Sequence, residues 1–327
     1  MEAVKPKYKI LYNKKNVTAD LSEFLISLRY TDKVHGESDE IELTFENLDS
    51  IWLTKEWYPE KGDTVEAQVG YDGDMIDCGL FEVDEVSGAF NPDTFTIRAL
   101  ATGIKEKPFK TKRSKAHENK TLKQIADETA KLHGLTVLGT IRNLKVKRIT
   151  QYREHDLAFI TRLASNYGYV VSVRGKKLVF QDVYKLEEKD SKLTLSKADI
   201  SALSFTDHVS ETYTKAKTKY QSQNDEKLVE AEASDSKAKS FDILEIRTKA
   251  EDKQQAMEIT KAWLHRKNTM AKEATMTVEG KTALVAGNNV RLKDIGVLSG
   301  IWHVISSDHS VSRSGYVTSV NLKYLRS

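Results

Sequence analysis

Short alternating strands separated by turn residues fill the first hundred positions, and few folds accommodate that pattern. YKILYN, FLISLRY, ESDEIELTFEN, GDTVEAQVGY, GLFEVDEV and DTFTIRAL run from position 7 to about 103. The breaks between them carry Asn13, Gly36, Gly62, Asp72-Gly73, Gly88 and Asn91-Pro92. Alternation places successive side chains on opposite faces of a sheet. Turns at such close, regular intervals point to an antiparallel sandwich or barrel rather than βαβ units.

The same grammar returns between about 200 and 327, in ISALSFT, TYTKAKTKYQS, EATMTVEG, GNNVRLKD, GIWHVISSDHS and YVTSVNLKYL. One helix interrupts it, with Thr248 and Glu251 in a capping-box pattern and Ala256, Ile259 and Trp263 as the inward stripe. The segment 222–240 is polar and rich in Ala, Ser, Lys and Glu, which predicts a mobile loop. The two β regions also echo each other. The first has Gly62-Asp63-Thr64-Val65, then Gly79-Leu80-Phe81-Glu82-Val83, then TFTIRAL. The second has Gly287-Asn288-Asn289-Val290, then Gly300-Ile301-Trp302-His303-Val304, then VTSVNLKYL. Either the chain carries two copies of one barrel, or both regions share the common grammar of antiparallel barrels.

Between these regions the text changes. KEKPFKTKRSKAHENK, at 105–120, is strongly basic and aperiodic. It reads as a linker, either a solvated connection or a contact for a nucleic acid or partner. Thr121 and Gln124 then form a capping box for a helix whose buried stripe is Leu122, Ile125, Ala126 and Leu132, ended by Gly134. A second helix lies in REHDLAFITRLASNYGY at 153–169, where Leu157, Ile160, Leu163, Ala164 and Tyr167 fall on one face. Phe159 lies off that stripe and is expected to face the neighbouring hairpin. Gly168 stands where a left-handed cap is wanted, and Tyr169 is placed to fold back on the last turn. VVSVRGKKLVF follows as a tight hairpin around Arg174-Gly175, and the polar stretch 184–199 closes a small α/β module.

Composition excludes several function classes. The chain has 327 residues, 39% hydrophobic and 30% charged, enough for two or three soluble domains. Its formal charge of +3, from 51 basic and 48 acidic residues, argues against a dedicated nucleic-acid binder. A single cysteine, Cys78, leaves no disulfide framework and no multi-cysteine zinc site. No apolar run is long enough to span a bilayer, and MEAVKPKYKILYNKK lacks the apolar core of a secretory signal, so the expectation is a protein made and folded in a cytoplasm. No GxSxG, HExxH, P-loop or post-strand GxGxxG occurs, and the eight histidines show no ligand spacing. The expectation is no catalytic residue, no cofactor and no metal.

The stretch Glu154-His155-Asp156-Leu157-Ala158-Phe159-Ile160-Thr161-Arg162-Leu163-Ala164, with Gly168-Tyr169 after it, resembles a signature of phage tail hub proteins. These are the late control gene D proteins of contractile-tailed phages and prophages, themselves distantly similar to the N-terminal region of the VgrG spikes of type VI secretion. The family motif reads approximately ESDLAFLxRLAxxxGY. Here His155 replaces the usual Ser, so Asp156 or Glu154 is expected to share the helix capping. LRYTDKVHGESDEIELTFEN at 28–47, HENKTLKQIADETAKLHGL at 117–135 and the C-terminal run with ALVAGNNVRLKD, GIWHVISSDHS and SGYVTSVNL also resemble the family, in order along nearly the whole chain.

The resemblance implies an α+β, mainly β fold with two tail-tube-like antiparallel β-barrels flanking a small α/β module. The expected divisions are 1–104 for the first barrel, 105–198 for the linker and middle module, and 199–327 for the second barrel with one helix. It implies a structural hub, forming a trimeric ring in the baseplate that joins a six-fold tail tube to a three-fold central spike. The implied partners are two further copies of the chain, the tail tube protein, the spike, baseplate wedge or other tail proteins and the tape measure protein. No membrane is implied, and DNA only in passage if at all. Assembly is expected in a bacterial host cytoplasm. With the second barrel ending at 327, a fused lysin or spike is not expected, and the spike is expected to be a separate polypeptide. The alternatives are the tip hub of a non-contractile tail and a tail-associated cell-wall-binding or lytic protein. The structural residues singled out are Leu157, Ile160, Leu163, Gly168, Gly62, Gly79, Phe81, Gly287, Gly300 and Trp302.

Overall fold

Each alternating run named above becomes a strand, because one face of each meets an apolar core. The computed structural model describes residues 5–36, 38–60, 62–101, 111–221, 228–238, 240 and 242–325. Among the described residues, five α-helices accompany the strands: α1 (Thr18–Ser22), α2 (Leu122–Leu132), α3 (Asp156–Asn166), α4 (Val183–Glu187) and α5 (Lys253–Thr269). The chain is mainly β, and the largest sheet among the described residues has thirteen strands.

That sheet contains the two echoing regions, and their strand orders are the same. In the first, Leu25–Lys33 pairs with Glu40–Glu46, then Thr94–Leu100, Asp74–Ala89, Thr64–Tyr71 and Lys7–Tyr12. In the second, Ile200–Asp207 pairs with Lys272–Glu279, then Gly315–Leu325, Gly300–Ser312, Asn289–Lys293 and Ser191–Ser196. Only the last step differs, antiparallel in the first region and parallel in the second.

The likeness extends to irregularities. Phe81 stands opposite Val65, and Trp302 opposite Val290. A bulge falls between Val83 and Glu85 and again between Val304 and Ser306, each four residues after the matching glycine begins. Other bulges match at Leu25/Ser27 and Ile200/Ala202. Val83 N–H donates to the Asp63 carbonyl at 2.8 Å, as Val304 N–H does to that of Asn288 at 2.9 Å. The hydroxyl pair Thr44–Thr96 (3.3 Å) recurs as Thr277–Ser319 (3.0 Å). A bulge inserts an unpaired residue at one point of a ladder, so chance does not readily place two at equivalent points. The two regions are copies of one unit.

Two separate closed barrels do not form, however. The second half of Gly300–Ser312 overhangs its own copy and pairs with Leu25–Lys33 of the other, from Ser306 opposite Lys33 to Ser312 opposite Ser27. The copies are thereby joined edge to edge in one sheet, and among the described residues its end strands do not pair with each other. Val311 and Tyr316 of the second copy are buried in the core of the first, beside Leu28 and Ile41. Periodicity identifies a strand but not the edge it will pair with.

The middle module also departs from the expected boundaries. Its core unites Leu122, Ile125, Phe159, Ile160, Leu163 and the hairpin residues Val171 and Phe180 with Ala216, Ala231, Ile246, Ala256 and Ile259. Residues expected in the second barrel, α5 among them, thus complete the core of the module before 198. The chain leaves the second copy after Ile200–Asp207, builds a three-stranded sheet from Lys215–Gln221, Leu228–Ser234 and Ile243–Ile246, adds α5, and returns at Lys272. In the first copy the two strands at the same point, Leu25–Lys33 and Glu40–Glu46, are separated by six residues in the sequence.

Other expectations need correction. Within the basic stretch, Arg113–Thr121 is a strand paired with Lys145–Glu154, not a linker, while 105–110 lie outside the described residues. Within the expected loop, Leu228–Ser234 is a paired strand, while 222–227 lie outside the described residues. The cap of α5 is Asp252, which accepts from Gln255 N–H at 2.8 Å, rather than Thr248 with Glu251. Glu251 instead accepts from the Arg148 N–H at 2.7 Å. The box at α2 does form, with Gln124 N–H on Thr121 Oγ1 (3.1 Å) and Thr121 N–H on Gln124 Oε1 (2.8 Å). Leu132, placed on its buried stripe, is 47% exposed, and Thr129 and Ala130 are buried instead.

Candidate functional site

The features that distinguish this chain from an ordinary sheet are the helix α3 and the seam where three units meet. α3 buries Phe159, Ile160, Leu163 and Ala164, with Tyr167 just beyond its end. Leu157 is only half-buried, and Phe159 is fully buried, reversing the expected order. The reason lies in a neighbouring strand: the His117 ring stacks on Phe159 with centroids 5.2 Å apart. The core therefore covers a face rotated toward Phe159.

His155 occupies the N-cap position without a side-chain cap bond. Neither acidic neighbour replaces it. Glu154 pairs with Arg162 at 3.0 Å, and the buried Asp156 accepts from Gln151 Nε2 (2.7 Å) and meets His133 Nε2 (3.0 Å) and Arg113 (3.2 Å). Asp156 is an internal anchor between α3, the strand before it and the end of α2. Gly168 adopts φ +76°, and a Cβ there would lie 3.3 Å from the Tyr184 ring, so both conformation and space favour glycine. The Tyr169 hydroxyl does not return to the helix but accepts from Arg142 N–H (2.9 Å) and Nε (3.0 Å). Leu163→Ala should cost about 2–5 kcal/mol, as deletions from a close-packed core do. Urea unfolding measures it, and a cost below 1 kcal/mol would contradict the packing of Leu163 in this core.

Below α3 lies the seam. His35 and Gly36, in the loop after Leu25–Lys33, dock on the module: His35 Nε2 meets Ser165 Oγ at 2.8 Å, and Gly36 N–H donates to the Val171 carbonyl at 3.1 Å. Val171 N–H donates to His35 Nδ1 at 3.0 Å, so Nε2 carries the proton that Ser165 receives. Burial, then the charge of Arg266, lowers the His35 pKa to about 4. Beside this contact Asp32 and Asp39 are 1% and 3% exposed. Arg174, from the hairpin, reaches Asp32 at 2.8 Å and Asp39 at 3.8 Å. Asp39 also accepts from Lys33 N–H (3.0 Å), and Asp32 from Ala286 N–H of the second copy (2.9 Å). Burial and the Asp32 charge push Asp39 up to about 7, and burial also raises Asp32. One guanidinium thus ties both sheet copies to the module.

A second tie repeats the logic. Glu187, at the end of α4, meets Lys323 at 2.5 Å and His265 at 2.6 Å. Burial opposes its ionisation, but His265 and Lys323 hold its pKa down to about 2. Asn289 of the second copy donates to the Glu187 and Lys189 carbonyls, at 3.0 and 2.7 Å, and meets His303 at 2.7 Å. Glu187 and Lys323 are almost wholly buried and paired with each other, an arrangement suited to holding surfaces together. Among the described residues, no group of three or more His, Cys, Asp or Glu is arranged to hold a metal ion. Cys78 is buried, and burial raises its thiol pKa. No described helix is long and apolar enough to cross a membrane.

The residues singled out by the repeat occupy matching places. Gly62 and Gly287, both at φ +88°, precede the strands that carry Val65 and Val290. Gly79 stands opposite Ala67 and Gly300 opposite Leu292. A Cβ on Gly300 would lie 2.7 Å from the Tyr324 ring, whose edge packs on Trp302. Phe81 and Trp302 are the buried cores of their copies. Sequence reasoning missed Asp32, Asp39 and Arg174, because their meeting depends on which edges pair.

Against known proteins, residues 109–315, more than half of the chain, match the family model of the phage tail baseplate hub (GPD). A probable baseplate hub protein of Escherichia phage 186 is 30% identical over 178 residues, 54% of this chain and 44% of that protein. The chain spans about half the length of the curated relatives it matches. Among solved structures, a 43 kDa tail protein of prophage MuSo2 from Shewanella oneidensis shares the fold, with TM-score 0.73 at 17% identity over 97% of this chain and 98% of that one. The Francisella PdpA–VgrG complex contains a similar fold, with TM-score 0.58 at 14% identity over 98% of this chain and 58% of that one. With these residues, in this order and on this fold, the chain belongs to the phage tail baseplate hub (GPD) family.

Proposed function

We propose that the chain is a non-catalytic structural subunit of a tail baseplate hub, assembled in the host cytoplasm. Three copies form a ring that joins a six-fold tail tube to a three-fold central spike. The internal duplication carries this reading. Each chain presents two near-equivalent sheet units, so three chains present six such units to the tube while remaining three-fold toward the spike. A ring of that kind needs heterologous interfaces that return on themselves. The middle module, tied by Arg174 and Glu187 to both copies, buttresses them and offers surfaces to wedge and other tail proteins, with the tape measure protein as a further partner. DNA, if it meets the ring at all, does so only in passage. We expect a weak or partner-dependent trimer in solution and a firm one in the particle. Cryo-microscopy of intact particles should find three copies around the axis, and six or one would overturn the adaptor reading.

A further inference from the structure

Where the loop after Leu25–Lys33, the middle module and the second copy come together, they enclose a cavity of about 210 Å³. Its walls are apolar: Val34 from the first copy, Val170 and Leu186 from the module, Ala262 of α5 and Met270 just beyond it, and Ile305 from the second copy. Val34 and Leu186 are buried, whereas Met270 is exposed and stands at the mouth. An apolar cavity of about 150 Å³ already holds a benzene ring, so this one has room for a single aromatic or branched side chain and little more. The charges around it are all of one sign. Arg266, Lys323, His35, His265 and His303 line it, and among the described residues no Asp or Glu does. Lys323 and His265 both turn to Glu187, which does not itself line the cavity. Burial lowers His35 and His303 to about 4, so both are neutral at pH 7.

Arg266 remains, exposed at the mouth. In the same module Arg142 and Arg174 each reach a carboxylate. At Arg266 partial burial lowers the pKa, and no carboxylate among the described residues offsets it. Its guanidinium lies 4.6 Å over the Trp263 ring, which is itself fixed by a 3.2 Å bond from its indole N–H to Asn166. That contact consumes none of the guanidinium N–H donors. A positioned guanidinium with unused donors is a receptor for a carboxylate, which it takes in two parallel hydrogen bonds. A second space adjoins the first. Tyr184, Ala262 and His265 line both the cavity and a cleft of about 740 Å³. The cleft is polar and carries both signs of charge, from Arg142, Glu188, Ser234, Asp235, Glu258 and Lys261.

We infer that cavity and cleft together receive the C-terminal end of another polypeptide. Its last, apolar side chain fills the cavity, its terminal carboxylate meets Arg266, and the residues before it lie in the cleft. An internal segment fits less well. Its Asp or Glu side chains offer a carboxylate but no apolar body, and its apolar side chains offer no carboxylate. At a chain end the two groups share one residue, which is why termini are captured in this way. A free aliphatic or aromatic acid would use the cavity and the arginine but leave the polar cleft idle. Because both sheet copies and the module wall the cavity, a bound terminus adds to the ties made by Arg174 and Glu187. The site is complete within one chain, so it does not depend on how many chains meet in the hub.

The test uses the full chain and a fluorescein-labelled pentapeptide, Gly-Ser-Gly-Leu-Phe, as the free acid and as the C-terminal amide, read by fluorescence anisotropy. The acid is expected to bind roughly tenfold more tightly than the amide or better, since hydrogen bonds to a charged group are the stronger class. A peptide of the same length ending in Asp should bind no better than the amide. Arg266→Gln should bring the acid down to the level of the amide. Arg266→Lys should keep part of the difference, because an ammonium supplies the charge without the fork. Met270→Trp, at the mouth, should weaken acid and amide alike by blocking entry. Both side chains are exposed, so the unbound variants should melt with the unmodified chain. Equal affinity for acid and amide, a preference for the acid that survives Arg266→Gln, or no binding of any peptide overturns the inference. Octanoate that displaces the peptide and binds as tightly on its own assigns the cavity to a free acid and overturns it as well. None of these outcomes alters the number of copies counted in the particle, which tests the hub separately.

Discussion

Trp302→Ala is expected to cost about 3–5 kcal/mol, the range for removing a large aromatic from a close-packed core. Trp302 is fully buried, its indole donates to the Leu298 carbonyl at 2.9 Å, and its ring meets Tyr324 at 5.1 Å. Truncation leaves a cavity in the second copy, frees an acceptor and removes an edge-to-face contact worth about 1 kcal/mol more. Because Phe81 is the equivalent core residue of the first copy, Phe81→Ala is expected to fall in the same range. The copies share one sheet through the Ser306–Ser312 seam, so a single cooperative transition is expected in both variants. Urea unfolding followed by circular dichroism measures both costs. Two separated transitions, with only the mutated copy shifted, would show that the seam does not couple the copies.

The second large effect is expected at Arg174. Arg174→Met leaves Asp32 and Asp39 buried at the three-way seam without their cation. Removing one partner of a buried pair costs roughly 3–5 kcal/mol. The Arg174 side chain is 45% exposed, so water takes up part of the loss and about 3 kcal/mol is expected at pH 8. Asp39 sets the pH dependence. Its pKa in the folded chain is about 7 against an ordinary value of 3.8, so between those pH values the folded state holds the extra proton. Stability from this group is complete below the ordinary value and declines as pH rises toward 7. Removing the guanidinium raises the carboxyl pKa values further and steepens that decline, so the cost of Arg174→Met should shrink to about 1 kcal/mol at pH 5. Buried His35, His303 and His309, held down to about 4, act in the opposite direction between there and 6.5. Comparison with Asp39→Asn at each pH cancels the histidines and isolates Asp39. An equal cost of Arg174→Met at pH 5 and pH 8 would place the destabilisation in lost packing rather than in uncompensated charge.

What the sequence determined by itself was local. A strand needs alternation over a few residues, and a helix needs apolar positions three and four apart. The runs from YKILYN to NLKYL, the capping box at Thr121 and the hairpin after Gly168 are therefore readable without knowing what they touch. The duplication was legible for a related reason. A turn before a strand, a close approach and a core aromatic demand particular residues, so Gly62, Gly79 and Phe81 reappear as Gly287, Gly300 and Trp302. The tertiary structure alone decided which edges pair. Backbone donors and acceptors are chemically alike on every strand, and pairing is chosen by whole-sheet burial. That choice joined Leu25–Lys33 to Ser306–Ser312, turned Arg113–Thr121 from apparent linker into strand, and lent α5 to the middle module's core. It also set the burial of Phe159 through His117, and it brought Asp32 against Arg174 across 142 positions of chain. No spacing rule spans such a distance, because neither residue has a local reason to be where it is until the sheet has closed around both.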